Sequence, residues 1–160
     1  MGAIERFTDA ARPLGLEPRI RRFPEGTKTA ADAARAIGCD VAQIVKSLVF
    51  VADDRPVIAF TSGANRVDPA RLAAVAGASA ARRATPEEAR AATGFAVGGT
   101  PPFGHPAALP AYLDPALLAF EEVWAAAGTP DSVFPLAPQE LRRVTGADLA
   151  DFVEGDGEPR

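Results

Sequence analysis

Two β-rich segments, Ile44–Val51 and Pro56–Thr61, are separated only by Ala52-Asp53-Asp54-Arg55, and this spacing restricts the fold more than any other feature. A polar connection of that length leaves no room for a crossover helix, so the two segments are expected to pair antiparallel as a hairpin. One residue sits oddly in the first of them. Lys46 interrupts the apolar run Ile44-Val45-Lys46-Ser47-Leu48-Val49-Phe50-Val51, and it is one of two lysines in a chain with fifteen arginines. An ammonium inside a buried strand is costly unless something compensates it. The plainer alternative is a side chain on the solvent face, or one that lays its stem along the surface with its head in water.

The rest of the chain reads as short elements with clear punctuation. Apolar residues at Ile4, Phe7, Ala11 and Leu14 predict a first helix over Ala3–Leu14 ending at Gly15. Glu17–Phe23 reads as a strand and Pro24-Glu25-Gly26 as a turn. Thr29 caps a helix over Ala30–Ile37 that stops at Gly38, and Asp68-Pro69 opens another over Ala70–Ala76 that stops at Gly77. Ala78–Arg83 is a weak strand; Thr85-Pro86-Glu87-Glu88 is a capping-box helix start closed by Gly94. Strands are expected at Ala111–Leu113, Glu122–Ala126 and Ser132–Leu136. A helical turn opens at Asp114-Pro115, a turn lies at Gly128-Thr129-Pro130, a helix covers Pro138–Val144, and a short last element covers Ala147–Val153. Strands interleaved with short helices, some joined as hairpins, indicate a mixed α/β or α+β domain.

Length and charge narrow the function classes. The 160 residues fit one domain, taken as residues 1–154 with a polar tail over 155–160, and a chain of this size buries roughly 68–70% of its unfolded surface without staples. Cys39 is the only cysteine, which rules out an intramolecular disulfide and a cysteine-based zinc site and suits a reducing, cytoplasmic setting. The start Met1-Gly2-Ala3-Ile4-Glu5-Arg6 lacks a basic-then-apolar leader, and no apolar stretch is long enough for a membrane span. A net charge of −4 and a pI near 5.0 argue against coating nucleic acid by bulk electrostatics. Local arginine groups at Arg19/Arg21/Arg22, Arg82/Arg83 and Arg142/Arg143 could still meet a few phosphates.

The segment from Val97 to Pro106 packs three glycines and three prolines into ten residues, so it is a stiffened loop. Consecutive glycines let successive amides turn toward one point, a concave site for a phosphate or a developing oxyanion, and an ordinary tight surface loop satisfies the same pattern. His105, the only histidine, stands at the loop's end and reads equally as a capping residue or a substrate contact. No nucleophile-elbow serine, zinc ligand set or magnesium motif is present, so neither a metal nor a cofactor is expected.

Cys39 to Phe50, the hairpin partner after it and Val97-Gly98-Gly99-Thr100-Pro101-Pro102-Phe103-Gly104 together resemble the YbaK/EbsC family, free-standing relatives of the editing domain inserted in bacterial prolyl-tRNA synthetases. Leu109-Pro110-Ala111-Tyr112-Leu113-Asp114 resembles the Leu-Pro-x-x-hydrophobic-Asp strand that follows the family's loop. The resemblance implies an α/β fold with a mixed, largely antiparallel curved sheet surrounded by short helices. It also implies hydrolysis of the ester between a misattached small amino acid (Ala, Cys, Ser or Thr) and the 3′ end of a tRNA. The partners it implies are that tRNA, of the proline type or a related one, and an aminoacyl-tRNA synthetase. Lys46 would bind or orient the terminal adenosine and stabilise charge at the ester, and the backbone of Gly98, Gly99 and Thr100 would form the oxyanion hole. Phe23, Ser47, Pro101, Pro102, Phe103, Gly104 and His105 would contact substrate. Phe23 stands where cysteine-clearing members carry tyrosine, and Asp131 is near the place of their acidic residue. Two other classes fit the same residues: a non-catalytic module holding a nucleotide or a tRNA acceptor end, and an enzyme whose Lys46 forms a Schiff base.

Overall fold

Helix ends follow the capping residues. In the computed structural model, which describes residues 2–23 and 29–155, the elements in chain order are α1 (Ala3–Ala11), β1 (Arg21–Arg22), α2 (Ala30–Ile37), β2 (Val45–Ala52), β3 (Arg55–Ser62), α3 (Pro69–Ala76), β4 (Ala81–Arg83), α4 (Pro86–Thr93), β5 (Ala111–Leu113), β6 (Val123–Ala126), β7 (Ser132–Leu136), α5 (Pro138–Thr145) and β8 (Asp148–Leu149), with short 3-10 turns at Arg12–Leu14, Val41–Gln43 and Pro115–Ala119. The Thr29 hydroxyl accepts the Asp32 amide at the start of α2, and Thr85 and Glu88 cap each other's backbone at the start of α4. The turn expected at Pro24-Glu25-Gly26 lies outside the described residues, as do residues 156–160 of the tail.

The hairpin forms as expected, in register from Val45↔Ser62 to Ala52↔Arg55. Its loop is tighter than the four residues expected: Ala52 and Arg55 already pair, leaving Asp53-Asp54. Asp53 adopts φ 56°, and its carboxylate accepts the Ser79 and Ala80 amides at 3.1 and 3.2 Å, contacts that hold the residue in the left-handed conformation such a turn needs.

The mixed, largely antiparallel sheet structure forms as expected, in two parts. One has five strands in the order β4-β2-β3-β5-β8; the other has three, β1-β7-β6. Pairing is antiparallel except for β3–β5 and β5–β8, which are parallel and bring Leu113 and Asp114 alongside the end of β3. The sheets meet where Ile44 bridges Trp124. β1 is shorter than the expected Glu17–Phe23, because only Arg21 and Arg22 find partners, on β7.

The main core packs α1 and the 3-10 turn after β5 against both sheets. Its centre is aromatic: the Phe7 ring lies 4.9 Å from Phe103 and 4.7 Å from Phe134. Phe103 belongs to the glycine–proline loop, so that loop is fastened to the core rather than hanging from the surface.

Candidate functional site

A cleft of about 440 Å³ opens beside the N-terminal half of β2, and both Lys46 and the glycine loop line it. Its walls are small and apolar, including Ala30, Ala33, Ala84 and Ala89, with Ser47, Thr100 and Ser132 as polar points. Its charged lining among the described residues is Lys46 and Arg83 alone, so the cleft is cationic in a chain of net charge −4. No group of three or more potential metal ligands occurs among the described residues.

Lys46 is half-buried and tethered. Its Nζ donates to the Asn65 carbonyl, the Asn65 side-chain amide donates to Asp114 at 2.9 Å, and Asp114 also accepts the Ser62 and Ala116 amides at 3.1 and 2.9 Å. Asp114 is 2% exposed, so three donors satisfy a buried carboxylate. Burial pushes the Lys46 ammonium below its ordinary pKa, and the nearby Arg66 and Arg83 push the same way, against the pull of Asp114.

The glycine loop is built by close approach. The Gly99 amide donates to the Ala96 carbonyl at 3.0 Å, and the turn it closes puts Gly98 at φ 89°. A Cβ at Gly99 would stand 2.7 Å from the Thr129 backbone. That backbone cannot give way easily, because the Thr129 hydroxyl donates to Asp131 at 2.6 Å and its amide donates to Ser132 at 3.2 Å. Gly99→Ala is therefore expected to shift the loop and destabilise the fold by about 1–3 kcal/mol, measured by urea unfolding. A variant as stable as the parent would show that the loop yields without strain.

The expected site residues divide. Lys46, Ser47, Gly98 and Thr100 line the cleft together. Gly99 does not, since it faces the turn between β6 and β7 and its amide is already committed. Phe103 is 6% exposed among core rings and is not part of the cleft lining. Pro101 and Pro102 are buried behind the loop, and Gly104 turns at φ 88° against Ala10 and Phe95. His105 is also no cleft residue: its Nε2 lies 2.9 Å from the Pro101 carbonyl, an internal brace, and burial lowers its pKa toward the neutral form. Phe23 packs with Ala33, Ile44, Trp124 and Val133 and so backs the cleft wall from behind.

Three residues escaped sequence reasoning. Arg83 lines the cleft without an acidic partner among the described residues, its guanidinium 5.8 Å from the centre of the Phe50 ring, whereas its neighbour Arg82 is bound through two nitrogens to Glu88 at 2.8 Å; the Arg-Arg pair was visible, but not which member is held in a salt bridge. Asp114 stood in the Leu-Pro-x-x-hydrophobic-Asp segment, and its link to Lys46 depended on the parallel β3–β5 pairing. Asn65 carried no signal at all.

The aminoacyl-tRNA editing domain family matches residues 24–144. The uncharacterized Bacillus subtilis protein YwhH is 32% identical over 126 residues, covering 78% of this chain and 80% of its own length. A proline–tRNA ligase of Nitratidesulfovibrio vulgaris strain DP4 is 35% identical over 79 residues, 49% of this chain and 14% of the ligase. A crystal structure of a protein put forward as a trans-editing enzyme for prolyl-tRNA synthetase is 46% identical with a TM-score of 0.91, covering 97% of this chain and 99% of that one.

Proposed function

Because this chain belongs to the aminoacyl-tRNA editing domain family, we propose that its cleft hydrolyses the ester joining a misattached small amino acid to the 3′-terminal adenosine of a tRNA. The observation that carries this reading is the convergence of Lys46 with Gly98 and Thr100 on one cleft of small-molecule size. Water attacks the ester carbonyl, the C–O bond to the ribose breaks, and the products are a free amino acid and a tRNA with its hydroxyl restored. Negative charge develops on the carbonyl oxygen, where the Lys46 ammonium and backbone N–H groups stabilise it.

The amides available for that task are those of Gly98 and Thr100, which have no acceptor among the described residues, while Gly99 is spent on Ala96. No serine–histidine pair competes as a mechanism: the only histidine braces Pro101 and lies outside the cleft lining. The alanine-lined walls favour a small aminoacyl side chain, and selectivity between such side chains would rest on a few contacts worth about 1–3 kcal/mol each.

Purified protein tested against tRNAs charged with Ala, Cys, Ser, Thr and Pro, following ester loss, decides the matter. Release from at least one of the small misattached amino acids is expected, with proline on its own tRNA spared. Binding without release from any of them would assign the cleft to a non-catalytic acceptor-end module instead.

The ammonium must be charged to act, so activity should fall as pH rises through the Lys46 pKa. Since burial and two arginines lower that pKa, the alkaline limb is expected below the ordinary lysine value of 10.5. Background-subtracted rates would show it, and Lys46→Arg, whose charge does not titrate there, should lose the limb. A limb that persists in Lys46→Arg would place it on another group.

A further inference from the structure

Ser47 combines a hydroxyl without a partner and a peptide edge that no neighbouring strand covers. Its hydroxyl is buried and has no hydrogen-bond partner among the described residues, so water or a ligand entering the cleft completes it. Its peptide groups face an edge with no registered strand partner, which follows from strand alternation. The Ile44 carbonyl accepts from Gly63, on the β3 side, while the Val49 carbonyl accepts from Ala84, on the β4 side. Even-numbered residues of β2 therefore spend their main-chain groups on β3, and odd-numbered residues turn theirs to the opposite edge. β4 covers that edge only from Val49 onward, and at the other end β6 reaches the strand through the parallel bridge between Ile44 and Trp124. Between these two stops the N–H and C=O of Ser47 face the cleft that the residue lines.

An antiparallel partner residue would fill such a gap with two hydrogen bonds. The opening is too short for a partner strand: only Val45 and Ser47 turn outward in it, and it is closed on one side by the Arg83–Ala84 chain and on the other by the Ile44–Trp124 bridge. A flat ring with an acceptor nitrogen beside an amino group reproduces the missing pair in a space this short. Adenine carries that edge, as N1 beside the N6 amino group. We infer that the Ser47 peptide edge reads the terminal adenine of the acceptor end, its N–H donating to N1 and its C=O accepting from the N6 amino group, with Arg83 supplying a cation for the attached phosphate. The inference rests on the proposed function and assigns a base-reading element within that same cleft.

The test uses the full-length, isotopically labelled protein with three mononucleotides. AMP is expected to shift the Ser47 amide proton downfield. The 1-deaza analogue of AMP, which lacks the acceptor, should leave that proton in place. Purine riboside 5′-monophosphate, which lacks the amino donor, should bind about tenfold more weakly than AMP. Equal shifts and equal affinities for all three, or no movement of Ser47 with AMP, would overturn the base-reading edge. A shift produced instead by an extended peptide would assign the edge to strand addition and overturn it equally. These outcomes stand apart from the deacylation panel: a protein that releases no amino acid from any tRNA yet shows the AMP pattern keeps the edge and loses the hydrolytic reading.

Discussion

Lys46→Ala is expected to lower deacylation by about two to three orders of magnitude, the usual cost of removing one donor from a developing oxyanion, while leaving the fold intact. The two halves of that expectation have separate physical causes. Activity falls because the cleft loses the ammonium that lies on it, and Arg83, the other cation in the described lining, is anchored on a different strand. Stability changes little because the ammonium is itself compromised in the fold: burial and the repulsion of Arg66 and Arg83 disfavour its charge, so its removal offsets the bond it makes to Asn65. Unfolding free energy should stay within about 1 kcal/mol of the parent. The measurement is a paired one, urea unfolding and ester loss on the same preparation. A variant that deacylates at the parental rate would remove Lys46 from the chemistry, and one that fails to fold would make the lysine a structural residue.

What could be read from the sequence was whatever is decided within a few residues of itself. The cap at Thr29, the capping box at Thr85 and Glu88, and the strands Ala111–Leu113 and Ser132–Leu136 all depend on local hydrogen bonds or local β preference, and they stand where the residues place them. The hairpin loop was misjudged by a residue at each end because Asp53 is held by amides of Ser79 and Ala80, more than twenty positions away. Contact order explains the larger omissions in the same way. The tether from Lys46 through Asn65 to Asp114 joins positions brought together only when β5 pairs parallel with β3, and nothing local in either segment announces that pairing. The glycine loop was legible as a rigid turn, but which of its amides is free was not, since that depends on the Ala96 carbonyl and on the turn between β6 and β7 packed beneath it.

Phe103 shows most clearly how a residue inside a functional loop can serve the fold instead, and its substitution is expected to have the largest effect on stability. Phe103→Ala should cost about 3–5 kcal/mol, because it removes a buried ring and leaves a cavity between Phe7 and Phe134 that rigid neighbours cannot fill. The loss acts on the cleft at second hand. Phe103 is the anchor that ties the segment from Gly98 to Pro102 to the core, so without it the amides of Gly98 and Thr100 lose their fixed direction even in molecules that remain folded. Phe103→Leu separates this from direct substrate contact: it keeps most of the buried apolar volume, so stability and turnover should recover together. Turnover that stays low in Phe103→Leu while unfolding free energy returns would mean that the aromatic ring itself meets the substrate. The packing against Phe7 and Phe134, at 4.9 and 6.2 Å between ring centres, leads us to expect the two to move as one.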